Sequence, residues 1–528
     1  MSPQTHRRTR IADERGFTML LTLVVMVVAG LLMTAAFTAA EGDIHLSGHD
    51  QLEKKAYYAA QAGISDYSFH LNGDVNYWTR CTAVPSPAVV NNLGDTPLRT
   101  RPVPGATDES YAIQLIPANS DTEPSPQKCD LANPVLSNIE ANNPAGTFRI
   151  QSTGYATGDG KTAKRTIVAT YAHTSFLNFV YYTKFETSDP STYSDGKHDY
   201  TECAKPRAKR PEFCNTIDFI TEDNIQGPMH TEDTVAICGE PIFGRRLSDA
   251  IEFKGGTFGN GCPDEPRYKG NVIAKANIQT IEPPPSNTSL LAVTEEAYHY
   301  AGKTEIFLHG NTMDVTNSEG KTTYNVAFPP KGVIYVSNRT CSTVYTPYAP
   351  DYEGDGECGN VYVHGSYTSP LTIAAENDVV INGNITTPAV GEVPTTNATL
   401  GLIANNFVRV YHPVPSRTEH ESGKCGSNNN GEGSISNIQI YAAILAVNHS
   451  FLVDNYDCGA PLNSLTVHGA IAQIFRGIVG QHSGGTVTHG YAKNYIYDDR
   501  LQVESPPHFL NPVDAAWGVK RETVTTSP

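Results

Sequence analysis

Histidine and carboxylate side chains are spaced in this 528-residue chain in ways that could support chemistry. Four His-Gly pairs occur, with His309, His364, His468 and His489 preceding Gly310, Gly365, Gly469 and Gly490. Imidazole is a common metal ligand. A zinc site needs further donors at set spacing, and none of the four lies in a His-x-x-x-His or Glu-x-x-His motif. Those spacings do occur at His45/His49 and Glu296/His299, each a single pair with no third donor nearby. The expectation is turn-adjacent histidines facing solvent, with no metal and no cofactor.

Two acidic groups remain. Asp351, Glu353, Asp355 and Glu357 alternate around Gly354 and Gly356. Carboxylates in a Gly-rich loop offer oxygen ligands to Ca²⁺, and Asp351, Glu353 and Asp355 would carry it. The loop lacks the twelfth-position Glu of an EF-hand, so an acidic, solvated loop is expected. Asp498 and Asp499 are the pair that a polysaccharide-cleaving enzyme would need on either side of the bond. Adjacent strand residues point to opposite faces, so they cannot flank one substrate without a bulge. There is no Gly-x-Ser-x-Gly, P-loop or dinucleotide fingerprint, and no catalytic residue is assigned.

The ten cysteines have no Cys-x-x-Cys spacing, which argues against zinc. All ten lie C-terminal to a long apolar segment near the N-terminus, and an even count in an extracytoplasmic chain reads as disulfides. Connectivity cannot be derived from spacing. The sequential pairs Cys81–Cys129, Cys203–Cys214, Cys238–Cys262, Cys341–Cys358 and Cys425–Cys458 would each close a loop rich in Pro, Gly, Asp or Asn.

These residues must be positioned by a small set of elements. Residues 17–40 form a 24-residue run without Asp, Glu, Lys, Arg or His. As a helix rising about 1.5 Å per residue it crosses a bilayer core of about 30 Å. Arg7, Arg8, Arg10 and Arg15 precede it, while Glu41 and Asp43 come after it, which puts the N-terminus in the cytoplasm and the rest outside. A secretory signal cut near Ala39-Ala40-Glu41 is the rival reading. Beyond the membrane, Leu52, Ala56, Ala59, Ala60, Gly63 and Ile64 recur at helical spacing, and Asn72-Gly73 is a stop signal. Gly42 and Gly48 weaken the middle of this helix, where a bend or melted turn is expected.

Strand-like runs lie at 111–116, 147–156 and 164–171. Gly158-Asp159-Gly160 makes the last two a hairpin. Further on, a pattern of bulky residue, any residue, Gly, small or short polar residue, bulky residue recurs. It starts at Tyr268, Val363, Ile381 and Val467, with a looser copy at Leu308. Short Val/Ile strands turning at Gly or Asn corners predict a β-solenoid or parallel β-helix, with a β-sandwich as the alternative. The fold class is therefore α+β: a long N-terminal helix on a small antiparallel sheet, then a large β-rich domain. The expected divisions are 1–16, 17–72, 73–172, 173–270, 271–510 and a tail over 511–528, disordered from 520 onward. The net charge of −17 argues against nucleic acid as a partner.

The junction Arg15-Gly16-Phe17-Thr18-Met19-Leu20-Leu21 resembles that of type IV prepilins. The resemblance implies that a prepilin peptidase cuts between Gly16 and Phe17, that Phe17 becomes N-methylated, and that residues 1–16 are a leader. The helix would wait in the cytoplasmic membrane as a single pass before entering a surface filament beside other pilins. The family's Glu at the fifth mature position is Leu21 here, which resembles minor pilins and pseudopilins that cap or initiate a filament. Residues 56–63 look like the Ala-rich second half of PilX-type minor pilins. The phrases at 175–187 and 223–233 resemble the start of a C-terminal module on large pilin-like proteins of Gram-positive and related bacteria. The resemblance implies a role in assembly initiation, tip capping or adhesion. A surface or polysaccharide would be the ligand, and a membrane-anchored polysaccharide enzyme is the alternative.

Overall fold

The computed structural model describes residues 15–73, 77, 90–91, 98–116, 147–173, 175–193, 200–278, 280–342, 345–349, 356–417, 423–502, 505–513 and 517–525. The chain divides into two compact units, an N-terminal helix with its sheet and a large β-rich domain.

The first unit comprises residues 1–140, 148–171 and 519–528. Its helix runs unbroken over Arg15–Gly73, 59 residues, and ends at the predicted stop. No bend or melted turn interrupts it at Gly42 or Gly48. Glycine lowers helix propensity by about 1 kcal/mol but keeps its backbone donor, so the ladder continues where proline would break it. The outer half packs first through the small side chains Ala56, Ala59 and Ala60 and then through the larger Ile64, Tyr67 and Leu71, all buried. Beneath them lies a six-stranded sheet in which Glu109–Ile116, Thr147–Gly158 and Lys161–His173 are consecutive neighbours. The last two are joined at Asp159 and Gly160, both at positive φ, as the turn signal requires.

Gly154 explains how closely helix and sheet approach. A Cβ there would lie 2.0 Å from the Ala56 carbonyl oxygen and 2.3 Å from the Ala60 nitrogen. Two side chains fasten the contact by donating to helix carbonyls, Ser152 Oγ to Ala60 O at 2.8 Å and Tyr171 OH to Ile64 O at 2.9 Å. The C-terminal segment is a correction to the sequence reading. Instead of a disordered tail, Trp517–Thr525 forms a strand beside Lys161–His173. Its Glu522 carboxylate accepts from the Gln61 amide on the helix at 2.7 Å. Val519, Thr523, Val524 and Thr525 are β-branched residues that suit an edge strand, and composition alone hid that.

The second unit holds residues 141–147 and 172–518. Most of its strands belong to one 21-stranded sheet, with a three-stranded sheet and two hairpins beside it. Within the large sheet the described pairings are parallel except in the hairpin strands Thr304–Gly310, Thr312–Thr316 and Thr322–Ala327 at one end. Like residues stack in register. Ile334 pairs with Ile373, Ile373 with Leu402, Leu402 with Ile444 and Ile444 with Ile471. All are buried, so the strands read as continuous apolar runs rather than alternating ones. The repeat glycines sit where successive strands nearly touch: a Cβ on Gly365, at φ +114°, would lie 2.3 Å from the Leu308 oxygen.

Stack order departs from chain order. From His299–Ala301 the strands climb in sequence to Ser464–Phe475. The next neighbour is Tyr181–Phe185, from far earlier in the chain, with Ile471 opposite Tyr181. The stack then continues through Met229–Thr231 and Ala250–Phe253 to Asn271–Val272. Alongside, Ala492–Tyr497 pairs with Ser464–Phe475 on one side and Asn224–Gln226 on the other. The two arms of the domain thus meet at a seam. The division expected at 270 is absent, because strands on both sides of that position belong to one sheet and one unit.

Among the described residues four disulfides are present: Cys203–Cys214, Cys238–Cys262, Cys341–Cys358 and Cys425–Cys458. Cys81 and Cys129 lie outside the described residues.

Candidate functional site: the apolar helix and the buried charges

The first half of the helix holds an apolar stretch that the rest of the chain leaves uncovered. Met19–Ala36 is apolar, and none of it is buried. Its 18 residues span about 27 Å at about 1.5 Å each, close to a bilayer core. Leu20, Leu21, Leu23, Val24 and Leu31 are all exposed. A continuous apolar surface of this kind needs lipid or other apolar helices around it. Gly16 and Phe17 fall in the first turn, which begins at Arg15. Leu21 lies one turn further on and offers hydrocarbon where a carboxylate could have bound an amine.

The four His-Gly histidines do not converge. His364 stacks on Phe307, centroids 4.7 Å apart, and His468 stacks on Tyr441 at 4.1 Å. Each pair is a register pair on adjacent parallel strands, so aromatic stacking accounts for the spacing. Burial holds His468 well below the usual imidazole range, at about 4, so the ring stays neutral. His309 lies 2.9 Å from Asp314, and His489 lies 2.6 Å from the Gly459 oxygen. Solvent-facing histidines were expected, but His468 is buried and the other three are half-buried. Among the described residues the one group with metal-like spacing is Cys425, Asp457 and Cys458, whose cysteines are already joined in a disulfide.

Asp498 and Asp499 are held apart by different arginines. Arg500 donates to Asp498, with Nε 3.0 Å from Oδ1, whereas Arg245 and Arg246 each reach Asp499 Oδ1 at 2.9 Å. Asp351, Glu353 and Asp355 lie outside the described residues.

Sequence reasoning missed the charges buried at the seam. Arg476, fully buried, donates to the Glu186 carboxylate at 3.1 Å and to the carbonyls of Ile217 and Asp218 at 2.9 and 2.8 Å. Its guanidinium lies 3.6 Å over the Phe219 ring. Burial pushes the Glu186 carboxyl up and Arg476 opposes that shift. Lys493 donates to Asp223 at 2.7 Å, and burial lowers its pKa against the pull of that carboxylate. In the core of the other arm, Arg409 lies between Asp378 and Asp454 at 3.3 and 2.7 Å. Burial raises both carboxyls, again opposed by the arginine.

One cluster has the composition of a hydrolytic triad. His449 Nδ1 lies 2.8 Å from Asp189 Oδ2, and Ser191 Oγ lies 3.4 Å from the same nitrogen. A triad needs the acid and the nucleophile on opposite ring nitrogens. Here the serine donates to the aspartate, so the group is an ion-pair clasp across the seam. Burial works against a charged His449, but Asp189 outweighs it and raises the imidazole pKa.

No family model matches this chain, and no curated protein matches it. Among solved structures it is similar to the crystal structure of the competence-associated pilin ComZ from Thermus thermophilus, at 12% identity and a TM-score of 0.27, over 90% of this chain and 97% of that one.

Proposed function

We propose that this chain is a type IV pilin-like subunit present in few copies, which enters an extracytoplasmic filament through its apolar helix and carries a large β domain outward. The observation that carries this reading is the two-part helix. Its first half is apolar and exposed, and its second half is clamped to a mostly antiparallel sheet by Ala, Gly154 and Ser152. Such a helix suits a subunit that waits in the bilayer and then exchanges lipid for neighbouring helices. The Gly16-Phe17 junction supports cleavage and N-methylation at Phe17 by a prepilin peptidase.

Leu21 supports a tip or initiating position. Without a carboxylate in the first turns, the terminal amine of a neighbour has no partner in hydrocarbon, where an unpaired charge is costly. The bulk of residues 172–518 also makes close repetition along a fibre difficult. The stacked parallel ladders support reading that domain as a β-solenoid, a rigid scaffold whose loops contact a surface during assembly initiation, capping or adhesion. The arginine-bound Asp498 and Asp499 favour a role without catalysis over a polysaccharide-cleaving one.

The test has two parts. Intact-mass analysis of protein from native cells should give a chain starting at N-methyl-Phe17, with Gly16→Arg blocking the cut. Immunogold labelling should place the protein at fibre ends. A mature start near Glu41, or label spread along the shaft with filament number unchanged in a deletion strain, would reject the reading.

A further inference from the structure

A cleft of about 200 Å³ opens in the β domain where its two arms meet. One water needs about 10–15 Å³ on the same measure, so the cleft has room for a ring-sized ligand. Its polar lining comes from both arms, Thr216 and Asp218 from one and Gln481, His482 and Lys493 from the other. Ligand sites favour such junctions, because groups far apart in sequence converge there.

The lining selects the ligand class. Lys493 is taken up by Asp223 at 2.7 Å, and the Asp218 carboxylate lies 3.4 Å from the His482 ring. An anion would find the ammonium of the cleft already paired. A purely apolar ligand would strip water from the carboxylate, the amide and the imidazole without replacing it, which costs free energy for each group. A neutral polyhydroxylated ring both donates and accepts at each hydroxyl, which matches Asp218, the Gln481 amide and the Thr216 hydroxyl. Tyr456 and Tyr491 also line the cleft, with their hydroxyls turned to Tyr348 and the Ile435 carbonyl. Tyr491 is buried beneath the floor, and Tyr456, 9% exposed, keeps a little carbon surface for the C–H face of a sugar.

One wall can move. Gln481 and His482 belong to the hairpin Gly480–Ser483 with Thr486–Gly490, which forms a two-stranded sheet of its own. Two strands alone are marginally stable in water. The hairpin turns at Gly484 and Gly485, φ +58° and +90°. It is pinned to the opposite arm by the His482–Asp218 pair and by Val487 N donating to Glu222 at 2.9 Å.

We infer that this cleft is a saccharide-binding site, taking one neutral sugar unit of a surface glycan under the 480–490 hairpin. The inference rests on the adhesive reading of the β domain for its biological meaning, but binding itself is measured on purified protein. Full-length protein in detergent is tested against free glucose, galactose, mannose and N-acetylglucosamine by saturation-transfer NMR, and against immobilised neutral glycans. At least one saccharide should bind. Asp218→Asn and Gln481→Ala should each weaken binding about tenfold, the loss of one good hydrogen bond. Val487→Trp, which fills the cleft from the hairpin, should abolish it, and the surface change Thr323→Ala should have no effect. Circular dichroism and protease resistance report folding of each variant. Binding by none of the probes, or binding unchanged in all three cleft variants, overturns the inference. Either result leaves the N-terminal mass and fibre-end labelling free to support or reject the filament reading separately.

Discussion

The helix–sheet contact of the first unit and the seam of the second solve one problem with opposite chemistry. Around Ala56, Ala60 and Gly154 the chain brings backbone against backbone and uses almost no side chain. At the seam, Arg476, Glu186, Lys493 and Asp223 are buried as ion pairs. Small residues tolerate neighbours of similar shape, because dispersion and close approach are not very selective. A buried charge is stable only opposite its partner, since an unpaired one bears the full cost of desolvation. The seam joins strands that are remote in sequence amid many similar Val/Ile edges. Wrong pairings there would bury arginine or glutamate alone, so the charges specify which edges meet.

That contrast can be broken first at its most sensitive point. Arg476→Met should destabilise the β domain by about 3–5 kcal/mol, because it leaves Glu186 buried without its cation. Denaturant unfolding measures this, and adding Glu186→Leu should recover a large part. A double variant no better than Arg476→Met alone would mean that the arginine acts through packing on Phe219 instead.

A covalent tie in the same domain provides a yardstick. Cys425 and Cys458 are 33 residues apart, and replacing both by Ser should cost about 4 kcal/mol by loop entropy. The effect should be insensitive to pH between 5 and 8, roughly the range in which histidine titrates, unlike that of the seam histidine His449. Equal pH dependence in both would merge the two mechanisms.

The small-residue contact should respond to size, not charge. Gly154→Val drives a side chain into the Ala56 carbonyl and should cost about 1–3 kcal/mol, while Gly154→Ala should cost less but still register. Proteolysis should then open the first unit and leave residues 172–518 resistant.

The weakest effect separates the two regions by pH. Asp189 raises the His449 pKa above its unfolded value, so this clasp contributes fully below about pH 6.5 and is lost as pH rises through the folded pKa. His449→Gln should therefore narrow the stability difference between mildly acidic and alkaline conditions, by on the order of 1 kcal/mol. His230, held between Glu252 at 2.7 Å and Glu232 at 3.0 Å, has a raised pKa and should show the same sign. Wild-type stability that is flat from pH 5 to 8 would remove both histidines from the account.

Local signals were legible in proportion to how local their causes are. The charge-free run and the Ala face announced the helix, and Asp159-Gly160 announced the hairpin. The four described disulfides join neighbours in sequence, so they matched the loops they close. The His-Gly repeats suggested turns, but His364-Gly365 and His468-Gly469 lie inside the strands Val361–Tyr367 and Ser464–Phe475, and only the other two pairs end a strand. The stacked Phe307 and Tyr441 sit on other strands and could not be read from the motif. Glu186, Asp223, Arg476 and Lys493 carry no local sign of burial, because their partners lie 270 to 290 residues away.

By itself, the sequence determined that the chain begins with a bilayer-length apolar helix, that a β-rich domain comes after it, and which nearby cysteines and turns shape that domain. Those properties arise from interactions within a few residues or from summed hydrophobicity, which any fold must obey. Only the tertiary structure decided the stack order, the return of Trp517–Thr525 to the first sheet, and the meeting of the two arms around a polar cleft. These depend on which of many similar edges pair, and that choice is made by a few buried charges whose partners lie hundreds of residues away.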